Sequence, residues 1–287
     1  MQALNYARAT DVDDAIRLLS EGGENARVLA GGTDLIVQAR ERKRNVDLLV
    51  DVKHVEEFMV LEFDTNTGLK VGAATPLYQV YGDNNVKINY PAIVDASTVI
   101  GGKAIQGRAS LGGNLGNSSP AGDSLPAMIV LDGIATIAGP NGRREVPVGQ
   151  FFTGPGRNIL ETGELIVYIS FPPVAAGEGA AWERFIPRNE MDIAVASAGA
   201  WIKIEDGSVT DARIALGAVA ATPLVATAAA EALIGQPLTD ETISAAGDAA
   251  SEIASPITDM RGSIKQRKHL SKILTERTIR TAVERIK

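Results

Sequence analysis

Near the N-terminus the apolar positions switch repeatedly between helical and strand spacing. Asp11-Val12-Asp13-Asp14-Ala15-Ile16-Arg17-Leu18-Leu19 puts acids in a first turn and apolar residues at helical spacing, and Gly22-Gly23 stops it. Val28-Leu29-Ala30 reads as a short strand, Asp34 to Arg42 as the next helix, and Leu48-Leu49-Val50-Asp51-Val52 as a compact buried strand. This β-α-β alternation predicts a small α/β lobe over residues 1–56.

The pattern then changes. Phe58-Met59-Val60-Leu61 and Leu69-Lys70-Val71-Gly72-Ala73 bracket Asp64-Thr65-Asn66-Thr67-Gly68, a hairpin signal. A second hairpin is predicted where Ile134 to Ala138 and Arg144 to Val148 bracket Gly139-Pro140-Asn141-Gly142. Glu164 to Phe171 is a further strand, stopped by Pro172-Pro173. A second lobe over 57–174, α+β with mostly antiparallel strands, follows from this. Ala175 to Ala181 is small, flexible and without periodicity, the best linker candidate. Beyond it the spacing predicts strands near 182–187, 193–204 and 209–219, then helices near 222–234, 239–254 and 263–285, a C-terminal α+β domain over 175–287.

Two glycine-rich turns punctuate this frame. Ala30-Gly31-Gly32-Thr33-Asp34-Leu35 follows the strand at Val28. Ser110-Leu111-Gly112-Gly113-Asn114 runs on through Ser119-Pro120-Ala121-Gly122-Asp123 to Pro126. Paired glycines let a backbone approach a ligand closely and aim N–H groups at an anion, and a following helix adds its positive dipole end. Either turn alone reads more readily as a tight strand-to-helix connection. Together, with similar polar residues, they point to a large diphosphate cofactor. Neither fits the three-glycine dinucleotide fingerprint or the Gly-Lys-Ser/Thr ending of a P-loop.

Composition removes other classes. The 287 residues carry a net charge of −7, which argues against a broad nucleic-acid surface. Arg40-Glu41-Arg42-Lys43-Arg44 reads as the solvated end of a helix, where cations suit the dipole. Cysteine is absent, so this sequence holds no disulfide, no cysteine nucleophile and no ligands for an iron–sulfur cluster. His54 and His269 lie too far apart for metal-ligand spacing, and no metal site is expected. Residues 1–20 lack a signal-peptide core and no apolar run reaches membrane-spanning length, so a soluble, cytoplasmic protein is expected.

The two glycine motifs, with Arg188 through Asp192-Ile193-Ala194, resemble the FAD-binding medium subunits of molybdenum hydroxylases, the carbon monoxide dehydrogenase and xanthine dehydrogenase family. The resemblance covers the whole chain. It implies an α+β (mixed α/β) fold: a two-lobed FAD-binding domain of the vanillyl-alcohol-oxidase-like type, followed by a C-terminal α+β domain.

The resemblance also assigns cofactor-binding residues. Ala30, Gly31, Gly32, Thr33, Asp34 and Leu35 are expected to hold the FAD diphosphate, chiefly through backbone N–H groups. A carboxylate repels a diphosphate, so Asp34 is expected to turn back and cap its own helix. Ser110, Leu111, Gly112, Gly113 and Asn114 suit the ribityl chain and the flavin edge. Asp123 matches an aspartate that binds the cofactor in the family, with capping of the Pro126 helix as the alternative. Arg188, Asp192 and Ile193 belong to a stretch that approaches the flavin ring, and Ile166 matches a residue near it; the alternatives are a loop entering a buried strand for Ile193 and plain core packing for Ile166. Trp182 and Trp201 are expected in the core. No catalytic residue is assigned. With no histidine in the matching motifs, the FAD is expected to be noncovalent.

The function implied is an electron-transfer subunit that passes electrons from iron–sulfur clusters to an external acceptor. The molybdenum cofactor and [2Fe-2S] clusters then belong to partner subunits, a molybdenum-cofactor large subunit and an iron–sulfur small subunit, in a dimer of heterotrimers. A freestanding FAD-dependent oxidase or reductase is the competing reading.

Overall fold

A computed structural model describes residues 3–286. Asn5–Arg8 (β1), Ala26–Leu29 (β2) and Leu48–Asp51 (β3) form a parallel three-stranded sheet in the order β1-β3-β2. Helix α1 (Val12–Gly22) links β1 to β2. Asp11 caps it by accepting the Asp14 N–H, Val12, Ala15 and Leu19 form its buried face, and Gly23, at φ 65°, closes it. Helix α2 (Leu35–Arg40) links β2 to β3.

The second sheet is antiparallel. Leu61–Asp64 (β4), Gly68–Gly72 (β5), Ile134–Gly139 (β6), Gly142–Pro147 (β7) and Leu165–Phe171 (β10) pair in the order β4-β5-β10-β6-β7, with the ribbon Phe152–Gly154 (β8) and Arg157–Asn158 (β9) inserted before β10. Six short helices fill the connection from β5 to β6: Leu77–Gly82 (α3), Asn84–Asn89 (α4), Pro91–Ser97 (α5), Lys103–Gln106 (α6), Leu111–Asn117 (α7) and Ser124–Val130 (α8). Their apolar sides join Phe58, Val71, Ile137 and Ile169 in one core, where Tyr90 packs between Phe63 and Phe171. That burial is the main favourable term holding the second lobe together.

The third sheet consists of Glu178–Phe185 (β11), Ala196–Glu205 (β12), Ser208–Gly217 (β13) and Leu224–Val225 (β14), antiparallel in chain order. Helices Thr227–Glu231 (α9), Asp240–Ile253 (α10) and Ile264–Glu284 (α11) follow. Two segments differ from the sequence pattern. The linker candidate 175–181 is already β11 from Glu178 onward; α11 lies so close that a Cβ on Gly179 would sit 2.0 Å from the Ala282 carbonyl oxygen. Small residues there serve close packing rather than flexibility. The helix expected over 222–234 is confined to Thr227–Glu231, because Leu224 and Val225 pair with β13 just after Pro223, which cannot donate a backbone N–H. The same economy of side chains docks this sheet on α8, with Gly199 and Gly217 against Pro126. Trp182 and Trp201 are buried, and Arg213 stacks on the Trp201 ring. Among the described residues no helix is long and apolar enough to cross a membrane.

Candidate functional site

The two glycine turns, about eighty residues apart in the chain, touch each other. A Cβ on Gly31 would lie 1.9 Å from the Arg108 carbonyl oxygen and 3.0 Å from the Ala109 nitrogen, immediately before the second motif. Their junction forms the floor of a cleft of about 580 Å³ between the first two lobes. Gly32 adopts φ 74°, a conformation that turns the chain from β2 into α2 and that side chains resist. Among the described residues, the backbone N–H groups of Gly31, Gly32, Thr33, Asp34 and Leu35 have no acceptor. That row of open donors lines the cleft.

The second turn is built differently. Ser110 Oγ accepts the Gly113 N–H at 3.0 Å and so starts α7. Gly112 is pressed onto Ala73, where a Cβ would come within 2.4 Å of the Ala73 Cβ. Gly113 faces the cleft, and a Cβ there would meet only Ser110 Oγ, at 3.0 Å. Asn114 lines the cleft and uses Oδ1 to hold the Ser124 hydroxyl at 2.6 Å, tying α7 to the start of α8.

The expected residues fall into two groups. Ala30, Gly31, Gly32, Thr33, Asp34, Leu35, Ser110, Gly112, Gly113, Asn114 and Ile166 line the cleft. Leu111, Asp123, Arg188, Asp192 and Ile193 do not. Leu111 is fully buried in the core. Arg188, Asp192 and Ile193 sit on the loop between β11 and β12, where Ile193 is half exposed and Asp192 pairs with Arg188 at 3.7 Å. That loop reaches the second lobe at Gly102, beside Ile100 of the cleft wall.

Both carboxylates differ from their capping accounts. Asp34 makes no capping bond to α2; its side chain opens to the cleft, and desolvation by the walls raises its carboxyl pKa. Asp123 occupies the N-cap position of α8 without capping it. Its Oδ2 accepts instead from Arg184 Nη1 at 2.6 Å, while its buried Oδ1 has no partner among the described residues. Burial pushes the Asp123 carboxyl up to about 7, against the pull of the Arg184 guanidinium. Asp123→Ala should therefore cost about 3–5 kcal/mol, because it strands a buried guanidinium. A urea titration checks this, and a midpoint equal to the wild type would show that the pair does not hold the domains together.

Other residues escaped the sequence reading. Gln38 Nε2 donates to Asn117 Oδ1 at 3.1 Å across the cleft, joining α2 to α7. Asn158 Nδ2 donates to the Gly116 carbonyl at 2.9 Å and steadies the other end of α7. Arg44, read as part of a solvated helix end, lines the cleft. A Gly154-Pro155-Gly156 turn before Arg157-Asn158 was the available signal for the β8–β9 wall.

A row of unpaired amides, two interlocked glycine turns and an elongated cleft between two lobes define a protein that binds a diphosphate-bearing cofactor. Residues 2–174 match the FAD binding domain in molybdopterin dehydrogenase, and residues 184–282 match the CO dehydrogenase flavoprotein C-terminal domain. A putative xanthine dehydrogenase FAD-binding subunit of Escherichia coli is 31% identical over 97% of this chain and 96% of its own length. The carbon monoxide dehydrogenase structure from Hydrogenophaga pseudoflava superposes with a TM-score of 0.95, at 31% identity, over 100% of this chain and 99% of its counterpart. A quinoline 2-oxidoreductase from Pseudomonas putida superposes at 0.91 with 28% identity, over 99% of this chain and 98% of its counterpart. The chain belongs to the family of FAD-binding medium subunits of molybdenum hydroxylases, of the carbon monoxide and xanthine dehydrogenase type.

Proposed function

We propose that this chain binds one FAD noncovalently along the cleft and acts as the electron-transfer subunit of a multisubunit molybdenum hydroxylase. The observation that carries the reading is the acceptor-free row of N–H groups from Gly31 to Leu35, interlocked with a second turn whose Gly113 leaves the cleft open. In this assignment residues 1–56 and 57–174 are the lobes of the FAD-binding domain and 175–287 the C-terminal domain.

The loop from Ala30 to Leu35 receives the diphosphate, which converts unpaired amides into charge-assisted hydrogen bonds. Ser110, Gly112 and Gly113 offer backbone to the ribityl chain and flavin edge, and Asn114 adds its Nδ2, while buried Leu111 anchors the turn in the core. Asp123, behind the cleft wall, pairs with Arg184 and so supports the segments around the flavin site. Ile166 gives an apolar wall, and the loop bearing Arg188, Asp192 and Ile193 covers the ring from the third sheet. Bound flavin supplies the ability to take up single electrons and release them in pairs; the chain contributes orientation and electrostatics. Without cysteine, it depends on an iron–sulfur small subunit and a molybdenum-cofactor large subunit, in a cytoplasmic dimer of heterotrimers.

Acid precipitation tests the binding claim directly. All the flavin, about one FAD per chain, should appear in the supernatant, and flavin that stays with the pellet would contradict noncovalent binding.

A further inference from the structure

One guanidinium ties together three segments near the Ile100 end of the cleft. Arg184, on β11, has a side chain only 7% exposed and belongs to no motif visible in the sequence. Its Nη1 donates to Asp123 Oδ2 at 2.6 Å and to the Asp192 carbonyl at 3.3 Å, and its Nη2 donates to the Val99 carbonyl at 2.8 Å. Each acceptor adjoins part of the proposed flavin site. Val99 precedes Ile100 of the cleft wall. Asp123 follows Gly122, which packs on the Asn114 side chain. The Asp192 side chain accepts the Ile193 N–H at 2.8 Å.

The loop from Arg188 to Ile193 has few other restraints. Its ion pairs, Arg188 with Asp192 at 3.7 Å and Arg261 with Asp192 at 3.8 Å, are long. Arg188 is solvated and Arg261 partly so, and long pairs of that kind contribute little. Met191, at φ 52°, and Ile193 are both about half exposed. Arg184, bonded at once to the Asp192 carbonyl and to Asp123 and Val99, thus bridges this loop to the second lobe through buried contacts. A guanidinium spreads its donors over separate nitrogens and here uses both Nη1 and Nη2 to span its acceptors, whereas the three donors of an ammonium radiate from a single nitrogen.

We propose that Arg184 is a positioning residue that pins the 188–193 loop and Asp123 to the second lobe, and so sets how far bound flavin is exposed to its electron acceptor. This rests on the FAD assignment above, and the test separates the two. Arg184→Lys keeps a cation beside Asp123, so the fold should persist while the reach to Asp192 and Val99 is lost. Amide exchange of residues 189–194 should then quicken by roughly tenfold or more, the effect expected on losing a charged hydrogen bond. Quenching of flavin fluorescence by iodide should rise in parallel at unchanged FAD content. Arg184→Gln should show the same changes more strongly. Arg261→Ala, which removes only a long surface pair, should leave both readouts close to wild type. Wild-type exchange and quenching in Arg184→Lys would overturn the proposal, as would an equal loosening in Arg261→Ala. Loss of FAD from the wild-type protein would instead sink the cofactor assignment, while the exchange comparison, which needs no flavin, would still decide whether Arg184 tethers the loop.

Discussion

Gly113→Val should leave the fold intact and lower FAD affinity by at least roughly tenfold, the effect expected of overfilling a fitted site. Position 113 lies in the first turn of α7, where valine is no worse than glycine in helix propensity. The only protein atom a Cβ would crowd is Ser110 Oγ at 3.0 Å, the end of a side chain able to yield a few tenths of an ångström. The isopropyl group would therefore project into the cleft and compete with the cofactor. Gly31→Ala should behave in the opposite way. Its single added carbon, a Cβ with no freedom to rotate away, would meet the Arg108 backbone carbonyl oxygen at 1.9 Å and would force the two glycine turns apart. We expect about 3 kcal/mol or more of lost stability there, with flavin content falling as a consequence. Flavin content and a thermal midpoint, measured together on both variants, check the contrast. Full flavin in Gly113→Val, or an undisturbed midpoint in Gly31→Ala, would contradict this account of the turns.

That contrast shows where sequence reading succeeded and where it stopped. The paired glycines were visible because Gly31-Gly32 and Gly112-Gly113 interrupt clear strand and helix periodicity. Their division of labour was not, since Gly31 and Gly112 serve contact between segments while Gly113 serves the cleft, and only tertiary packing distinguishes these roles. Both hairpins and the strand–helix–strand run of the first lobe followed from local patterns, because turn chemistry and alternation act over a few residues, whereas the largely exposed β1 carries no such signal. The start of β11 at Glu178 was hidden because Gly179, Ala180 and Ala181 look like a flexible linker until α11 is seen lying on them. Arg184 was invisible for the same reason. Its three acceptors lie 85, 61 and 8 residues away, so no local pattern marks it. The Asp34 side chain, expected to cap its helix, and the capping alternative for Asp123 both failed because N-cap statistics describe solvated helix ends, whereas Asp34 opens to a cleft and Asp123 is claimed by a buried arginine.

As a relay subunit, this chain should pass electrons on without itself oxidising an organic substrate, and substrate-dependent bleaching of the flavin band reads this out. The FAD-loaded chain should be mixed anaerobically with carbon monoxide, purines, aldehydes and N-heterocycles, first alone and then with an iron–sulfur subunit and a molybdenum-cofactor subunit. The account predicts no reduction by the lone chain with any of these compounds, and rapid reduction by one of them once both partners are present. Rapid bleaching of the lone chain by an organic substrate would contradict it and establish a freestanding flavoenzyme.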